Sequence, residues 1–190
     1  MRTFIAIELP REIKAHLIRL QEKLRATEAD VKWVEPDNIH LTLKFLGEID
    51  DLKLEKITAI IEAVAAEKPQ FEIRIVSVGA FPKLHFPRVI WVGIDAGDKE
   101  TKDIAKMLEE RILKLGIPKE ERVFSSHITI GRTRSTKNRD VLIQELKKLG
   151  ENPLGGDLSF FVTKITLFKS TLTPQGPIYE PLKEANLTTT

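Results

Sequence analysis

The 190-residue sequence predicts an α+β fold. The expected architecture is two pseudo-symmetric β-α-β-α-β lobes, with mainly antiparallel sheets facing a central cleft and helices outside. Three observations predict it. The segment His40-Leu41-Thr42-Leu43 recurs as His127-Ile128-Thr129-Ile130, each His-x-Thr-x with large aliphatics at x. The copies are 127 − 40 = 87 residues apart, and the same offset lays Phe4–Glu8 on Trp91–Asp95 without a gap. Between these segments the apolar period switches repeatedly from 2 to 3.6, which marks alternating strands and helices.

Residues 3–9 read as a strand. Pro10 suits a helix start, and Ile13, Leu17, Leu20 and Leu24 share one helical face. At the 87-residue offset Leu17 and Leu20 fall on Ile104 and Met107, again on one face. Residues 39–46 form the first His-x-Thr strand. A helix follows Asp50 or Asp51, with Leu54, Ile57, Ile61 and Val64 inward and Pro69 as its limit. Phe71, Ile73 and Ile75 alternate as a strand, and residues 79–88 read as a linker between lobes. The second copy supplies a strand at 89–94, a helix at 99–115 closed by Gly116, and the His-x-Thr strand at 126–131. A helix at about 139–149 ends at Gly150. Val162–Leu172 reads as one strand, followed by a turn at Pro174–Pro177 and a short strand near Tyr179. The tail at 187–190 is expected to fray. The whole, 1–190, reads as a single bilobal domain with repeats at about 1–80 and 88–172, in which intertwining is an open option.

Composition narrows the function. A net charge of +2 gives no bulk attraction to nucleic acid, so any basic site must be local. Cysteine is absent, which removes disulfides, thiolate metal ligands and a cysteine nucleophile. The first apolar run is too short for a secretory signal and no run approaches membrane-spanning length, so a cytoplasmic location and no membrane partner are expected. A monomer is the default, because no feature points to assembly.

The chemistry rests on the paired motifs. On each strand the imidazole and the hydroxyl two residues later share one face, while the aliphatics enter the core. Two imidazoles facing one substrate can serve as acid and base in a single displacement, and two threonine donors beside them suit a tetrahedral oxyanion. Simple alternation sets Lys44 on the face of His40 and Thr42, where it could bind phosphate. It sets Arg132 on the opposite face from His127, unless a bulge at Gly131 turns it toward the site. Arg134, Lys137 and Arg139 read as a solvated loop cluster, His16 as a helix-surface residue and His85 as a loop residue. A lone strand histidine is more often structural than catalytic; the duplication is what raises the pair above that reading. No metal and no cofactor are expected, since two histidines without a nearby carboxylate cluster form a poor ligand set.

These residues resemble the 2H phosphoesterase superfamily, and within it the LigT-type RNA 2′,3′-cyclic phosphodiesterases, also called 2′-5′ RNA ligases. The resemblance includes Arg2–Pro10, Trp33-Val34, Asn38–Gly47, Phe86–Gly93, His127–Arg132, Leu167–Ser170 and Gly176–Tyr179. One departure is Ser126, where that family often has proline. The resemblance implies metal-independent opening of RNA 2′,3′-cyclic phosphate ends to 2′-phosphates, with tRNA halves among the candidate partners. It implies His40 as proton donor to the departing 3′ oxygen, His127 as proton acceptor from water, and Thr42, Thr129 and Arg132 on the phosphoryl oxygens. Run in reverse, the same site would join ends through a 2′-5′ bond. The alternatives are a phosphodiesterase of small cyclic nucleotides or 2′-5′ oligonucleotides, and a non-catalytic module that binds RNA ends or nucleotides.

Overall fold

The computed structural model describes residues 1–150, 155–156 and 158–189. Its elements run β1 (Arg2–Glu8), α1 (Arg11–Arg25), β2 (Val31–Trp33), β3 (His40–Glu48), α2 (Asp51–Ala66), β4 (Phe71–Lys83), β5 (Phe86–Ile94), α3 (Asp98–Leu113), β6 (His127–Thr133), α4 (Arg139–Leu149), β7 (Leu158–Val162), β8 (Lys164–Thr173) and β9 (Gly176–Asn186). Two antiparallel sheets form, in the order β3-β1-β8-β9 and β2-β6-β5-β4-β7. They meet where β3 lies alongside β6, so the two His-x-Thr strands are neighbours across the seam. Helices α2 and α3 cover the first sheet, and α1 and α4 cover the second. Ile5, Leu17, Leu41, Ile61, Ile104 and Ile128 are among the fully buried residues of one core that runs under both sheets.

Repeat and sheet do not coincide. β4, the third strand of the first repeat, pairs in the sheet of β5 and β6, while β8, the third strand of the second repeat, pairs with β1. The helices cross over too: α1 follows β1 but packs on the second sheet. The repeat also contains an offset. Glu8 pairs with His40 and Gly93 pairs with His127, so the strands beside the motifs are 93 − 8 = 85 residues apart rather than 87. A slip of two keeps every side chain on its face, which is why the ungapped alignment still sets apolar on apolar.

Four further expectations are corrected. Residues 79–88 are not a linker but the tip of a hairpin, because β4 continues to Lys83 and turns at Leu84-His85 into β5. The Val162–Leu172 strand is two strands in different sheets, β7 ending at Val162 and β8 starting at Lys164. The last strand is long, since β9 pairs with β8 along its length. The tail is held: Leu187 is buried, and Thr188 exchanges backbone hydrogen bonds with Lys68 and Gln70.

Both motif strands carry a bulge just after the threonine. On β6, Thr129 faces Trp91 and Gly131 faces Ile90, so Ile130 is extra. On β3, Thr42 faces Ala6 and Lys44 faces Ile5, so Leu43 is extra. A bulge leaves backbone groups outside the ladder that need other partners. The Ile130 carbonyl accepts from the Val34 amide and from Gln21 Nε2 at 2.9 Å, Gln21 being a buried α1 residue. On β3 the Phe45 amide donates to Glu120. Gly131 has no room for a side chain, because a Cβ there would stand 2.8 Å from Val31 and 2.9 Å from Trp33. Gly131→Ala is therefore expected to destabilise the fold by about 1–3 kcal/mol through overpacking. Denaturant unfolding will measure it, and an unchanged midpoint would show that the bulge is not tightly packed.

Candidate active site

Each imidazole is oriented in the same way. His40 Nδ1 lies 2.6 Å from the carbonyl of Asn38, and His127 Nδ1 lies 2.8 Å from the carbonyl of Ser125. In both cases the acceptor is the residue two positions earlier. A carbonyl can only accept, so Nδ1 carries the proton and Nε2 is left with its lone pair. In this tautomer the Thr42 hydroxyl donates to His40 Nε2 at 2.8 Å. Protonation of His40 reverses that bond, and the threonine hydroxyl proton is then released for another acceptor. Asn38 is itself anchored, its side-chain amide donating to the Pro177 carbonyl at the start of β9 at 2.8 Å.

Aromatic rings wall both imidazoles. Phe4 stacks on His40 with ring centroids 4.9 Å apart, and Tyr179 meets the same ring edge-on at 5.4 Å. Phe81 meets His127 edge-on at 5.0 Å and packs on Trp91 behind it. Trp91 lies so close over Gly79 that a Cβ there would come within 2.6 Å of the indole ring.

Burial in this apolar setting disfavours the imidazolium cation. It is the main reason that His40 falls from 6.5 to about 4; the Asn38 carbonyl works against the shift and the charge of Lys14 adds to it. His127 is lowered as well, first by burial and then by the charge of Arg132, with the Ser125 carbonyl opposing. Burial raises the Tyr179 phenol, and the cations of Arg2 and Arg132 offset part of that rise. Arg132 thus acts on His127 and also on Tyr179, the ring that touches His40. His40 and His127 stand on β3 and β6, which lie alongside one another.

His40 and Thr42 stand on β3, and His127, Thr129 and Arg132 stand on β6, the strand alongside it. Arg132 is exposed beyond the β6 bulge, in the field of the cleft. Lys44 does not join them. The β3 bulge turns it away from the His40 face, leaving it 1% exposed, with Nζ 2.9 Å from Glu109 and 3.4 Å from the Pro118 carbonyl. At the 87-residue offset Lys44 corresponds to Gly131 and Phe45 to Arg132. Arg139 is also elsewhere, lying with Arg88 over the Phe86 ring. Arg134 and Lys137 are exposed, His85 is in the β4–β5 turn, and His16 contacts Arg19 on α1. The reading from sequence missed Asn38 and Ser125 as orienting groups, and it missed the rings of Phe4, Phe81 and Tyr179. The orienting groups are backbone carbonyls of two different residue types, so the sequence carries no signal for them. Ser126, the departure from proline, is buried. Among the described residues no group of three or more His, Cys, Asp or Glu side chains could hold a metal ion.

The model of the LigT-like phosphoesterases matches this sequence twice, over residues 7–91 and 92–179, with one His-x-Thr-x motif in each match. The chain belongs to the LigT-like phosphoesterase family. It is 35% identical over 184 residues to a protein of Methanothermobacter thermautotrophicus named RNA 2′,3′-cyclic phosphodiesterase, covering 96% of this chain and 97% of that one. A protein of the same name from Methanocaldococcus jannaschii is 38% identical over 184 residues, covering 97% and 99%. Among solved structures, Escherichia coli LigT complexed with 3′-AMP superposes with a TM-score of 0.81 at 29% identity, covering 99% of this chain and 98% of that one.

Lys44 stands apart from the cleft of this LigT-like chain, which yields a prediction. Glu109→Gln leaves the Lys44 ammonium buried without its counter-charge and is expected to cost on the order of 3 kcal/mol in unfolding free energy. Lys44→Met removes both the charge and the need for its partner, so it should be close to neutral in stability and in activity. Loss of activity in folded Lys44→Met would return Lys44 to the site.

Proposed function

We propose that this LigT-like phosphoesterase opens RNA 2′,3′-cyclic phosphate ends to 2′-phosphates by two-histidine acid–base catalysis. The observation that carries the reading is the twinned imidazole geometry: two rings on adjacent strands, each tied through Nδ1 to the carbonyl two residues upstream, which leaves Nε2 of each as the acceptor nitrogen. The names of the two archaeal relatives support the substrate class, and the 3′-AMP complex of E. coli LigT supports a nucleotide ligand. In this reading His127 takes a proton from the attacking water and His40 gives one to the departing 3′ oxygen. Thr42, Thr129 and Arg132 hold the non-bridging oxygens, where charge is shared in the transition state. With a 5′-hydroxyl RNA end in place of water, the same displacement makes a 2′-5′ bond and the two histidines keep their roles; the reverse step, cleavage of that bond by the 3′-hydroxyl, exchanges them. Neither step draws on a metal or a cofactor, because the imidazoles supply both proton transfers. The proposed setting is a monomer in the cytoplasm, with tRNA halves among the RNA ends it meets. No helix among the described residues is long and apolar enough to cross a membrane.

The pair yields two expectations. Alanine at His40 or at His127 should each lower turnover by about 10²–10⁴-fold, and the double variant should be little worse than the more damaged single one. A substrate with a nitrophenolate leaving group needs no acid, so it should partly rescue His40→Ala and leave His127→Ala unrescued. Near-normal steady-state rates in either folded alanine variant would end the two-histidine mechanism.

The second expectation concerns pH. Activity requires one ring protonated and the other neutral, and in the free protein both titrate below 6.5, His40 at about 4. The singly protonated form is therefore most populated below pH 6.5; its proton sits mainly on the less depressed His127, and the arrangement with the proton on His40 is the minor, active tautomer of the same form. kcat/KM should follow a bell with its maximum below neutrality. A bound phosphate anion favours imidazolium, so the kcat profile should lie at higher pH. A kcat/KM maximum well above pH 7 would contradict the buried, depressed pair.

A further inference from the structure

Next to His40, on the cleft side of the first sheet, lies a second concavity of about 350 Å³ lined by Arg2, Phe4, Phe45, Glu48, Ser170 and Tyr179. None of the histidines and threonines of the two motifs lines it, but it shares Phe4 and Tyr179 with the wall of His40. Phe45 is its distinctive element. It stands three residues after Thr42, as Arg132 stands three after Thr129, and each comes after a bulge. Phe45 is 56% exposed, although it pairs with Phe4 across the ladder and the two rings are 6.2 Å apart. A large aromatic ring held out of the core on a sheet surface, beside an arginine, is how proteins stack single-stranded RNA bases while holding the backbone. Glu48 offers a carboxylate acceptor at the rim, partnered by the Met1 ammonium at 3.2 Å. The volume is within the range of small-ligand sites and suits one nucleotide.

The chemistry fixes which nucleotide. Attack and departure at phosphorus are roughly in line. With water at His127 and the 3′ oxygen leaving toward His40, the ribose and the RNA chain attached to it lie over the first sheet. We propose that the Arg2–Phe45–Tyr179 concavity is the seat of the nucleotide immediately 5′ of the cyclic-phosphate end. Its base stacks on Phe45, and Arg2 faces the phosphate that joins it to the terminal nucleotide. The inference rests on the proposed role of His40 as proton donor to the 3′ oxygen. It makes the protein a reader of oligonucleotide ends rather than of free cyclic nucleotides.

The test compares cytidine 2′,3′-cyclic phosphate with a dinucleotide that ends in the same group. Wild-type kcat/KM should favour the dinucleotide by roughly tenfold to a hundredfold, the scale of one base–aromatic stack, mostly through KM. Phe45→Ala should erase that preference and leave the mononucleotide rate within about twofold, since Phe45 touches only the second nucleotide. Phe45→Trp should keep it. Arg2→Gln should weaken dinucleotide binding and flatten its salt dependence by about one counterion. Wild-type protein that opens both substrates equally well would overturn the subsite. So would Phe45→Ala that lowers both substrates alike, or neither. If wild-type protein opens no cyclic phosphate of either length, the proposed activity itself fails, a result distinct from loss of the dinucleotide preference.

Discussion

A hydrogen bond from an imidazole Nδ1 to the carbonyl two residues upstream, made once at His40 and again at His127, is the constraint on which the site depends. It fixes the tautomer, turns Nε2 outward and removes a rotational freedom that would otherwise have to be lost at the moment of reaction. The surrounding structure serves to hold those two carbonyls still. Asn38 is tied to Pro177 and so to β9, and the leucines and isoleucines between the polar positions are buried in the shared core. The same apolar setting lowers the proton affinity of both rings. The cleft is therefore poised for anions: binding one restores to the imidazoles the proton affinity that burial removed.

The paired bulges extend this logic. Each lets the strand present histidine and threonine to the cleft and then reverses the faces of the two residues beyond it. On β6 the residue sent inward is Gly131, fitted under Trp33, and the one sent outward is Arg132. On β3 the inward residue is Lys44, which needs Glu109, and the outward one is Phe45. A single backbone device, used twice, thus provides a cation on one wall and an aromatic ring on the other. Duplication accounts for the likeness, and divergence at these two positions accounts for a cleft with distinguishable sides.

Much of this was legible from the amino-acid order. Period-2 alternation located β3 and β6, helical periodicity located α1, α2 and α3, Gly150 marked the end of α4, and the glycine at 131 marked its bulge. The bulge on β3 carries no such mark. Lysine can extend from either face, and only the buried partner Glu109, sixty-five residues away in sequence, reveals which was chosen. The exchange of β4 and β8 between sheets was equally hidden, because local patterns fix faces and not partners. In sequence, Phe4 and Tyr179 look like ordinary strand aromatics, with no sign that they wall an imidazole. The orienting carbonyls belong to the backbone, which no residue type announces.

Nitrogen-15 NMR of the two imidazoles, free and with a nucleoside 2′-phosphate, tests the central claim most directly. The account predicts that His40 and His127 are both Nδ1-protonated when neutral and both titrate below 6.5 in the free protein, with His40 near 4. It also predicts that the nucleotide raises both together, since one phosphoryl group lies between them. An Nε2-protonated tautomer at either ring, or a nucleotide that shifts one ring and leaves the other unmoved, would contradict a single cleft built from two matched histidines.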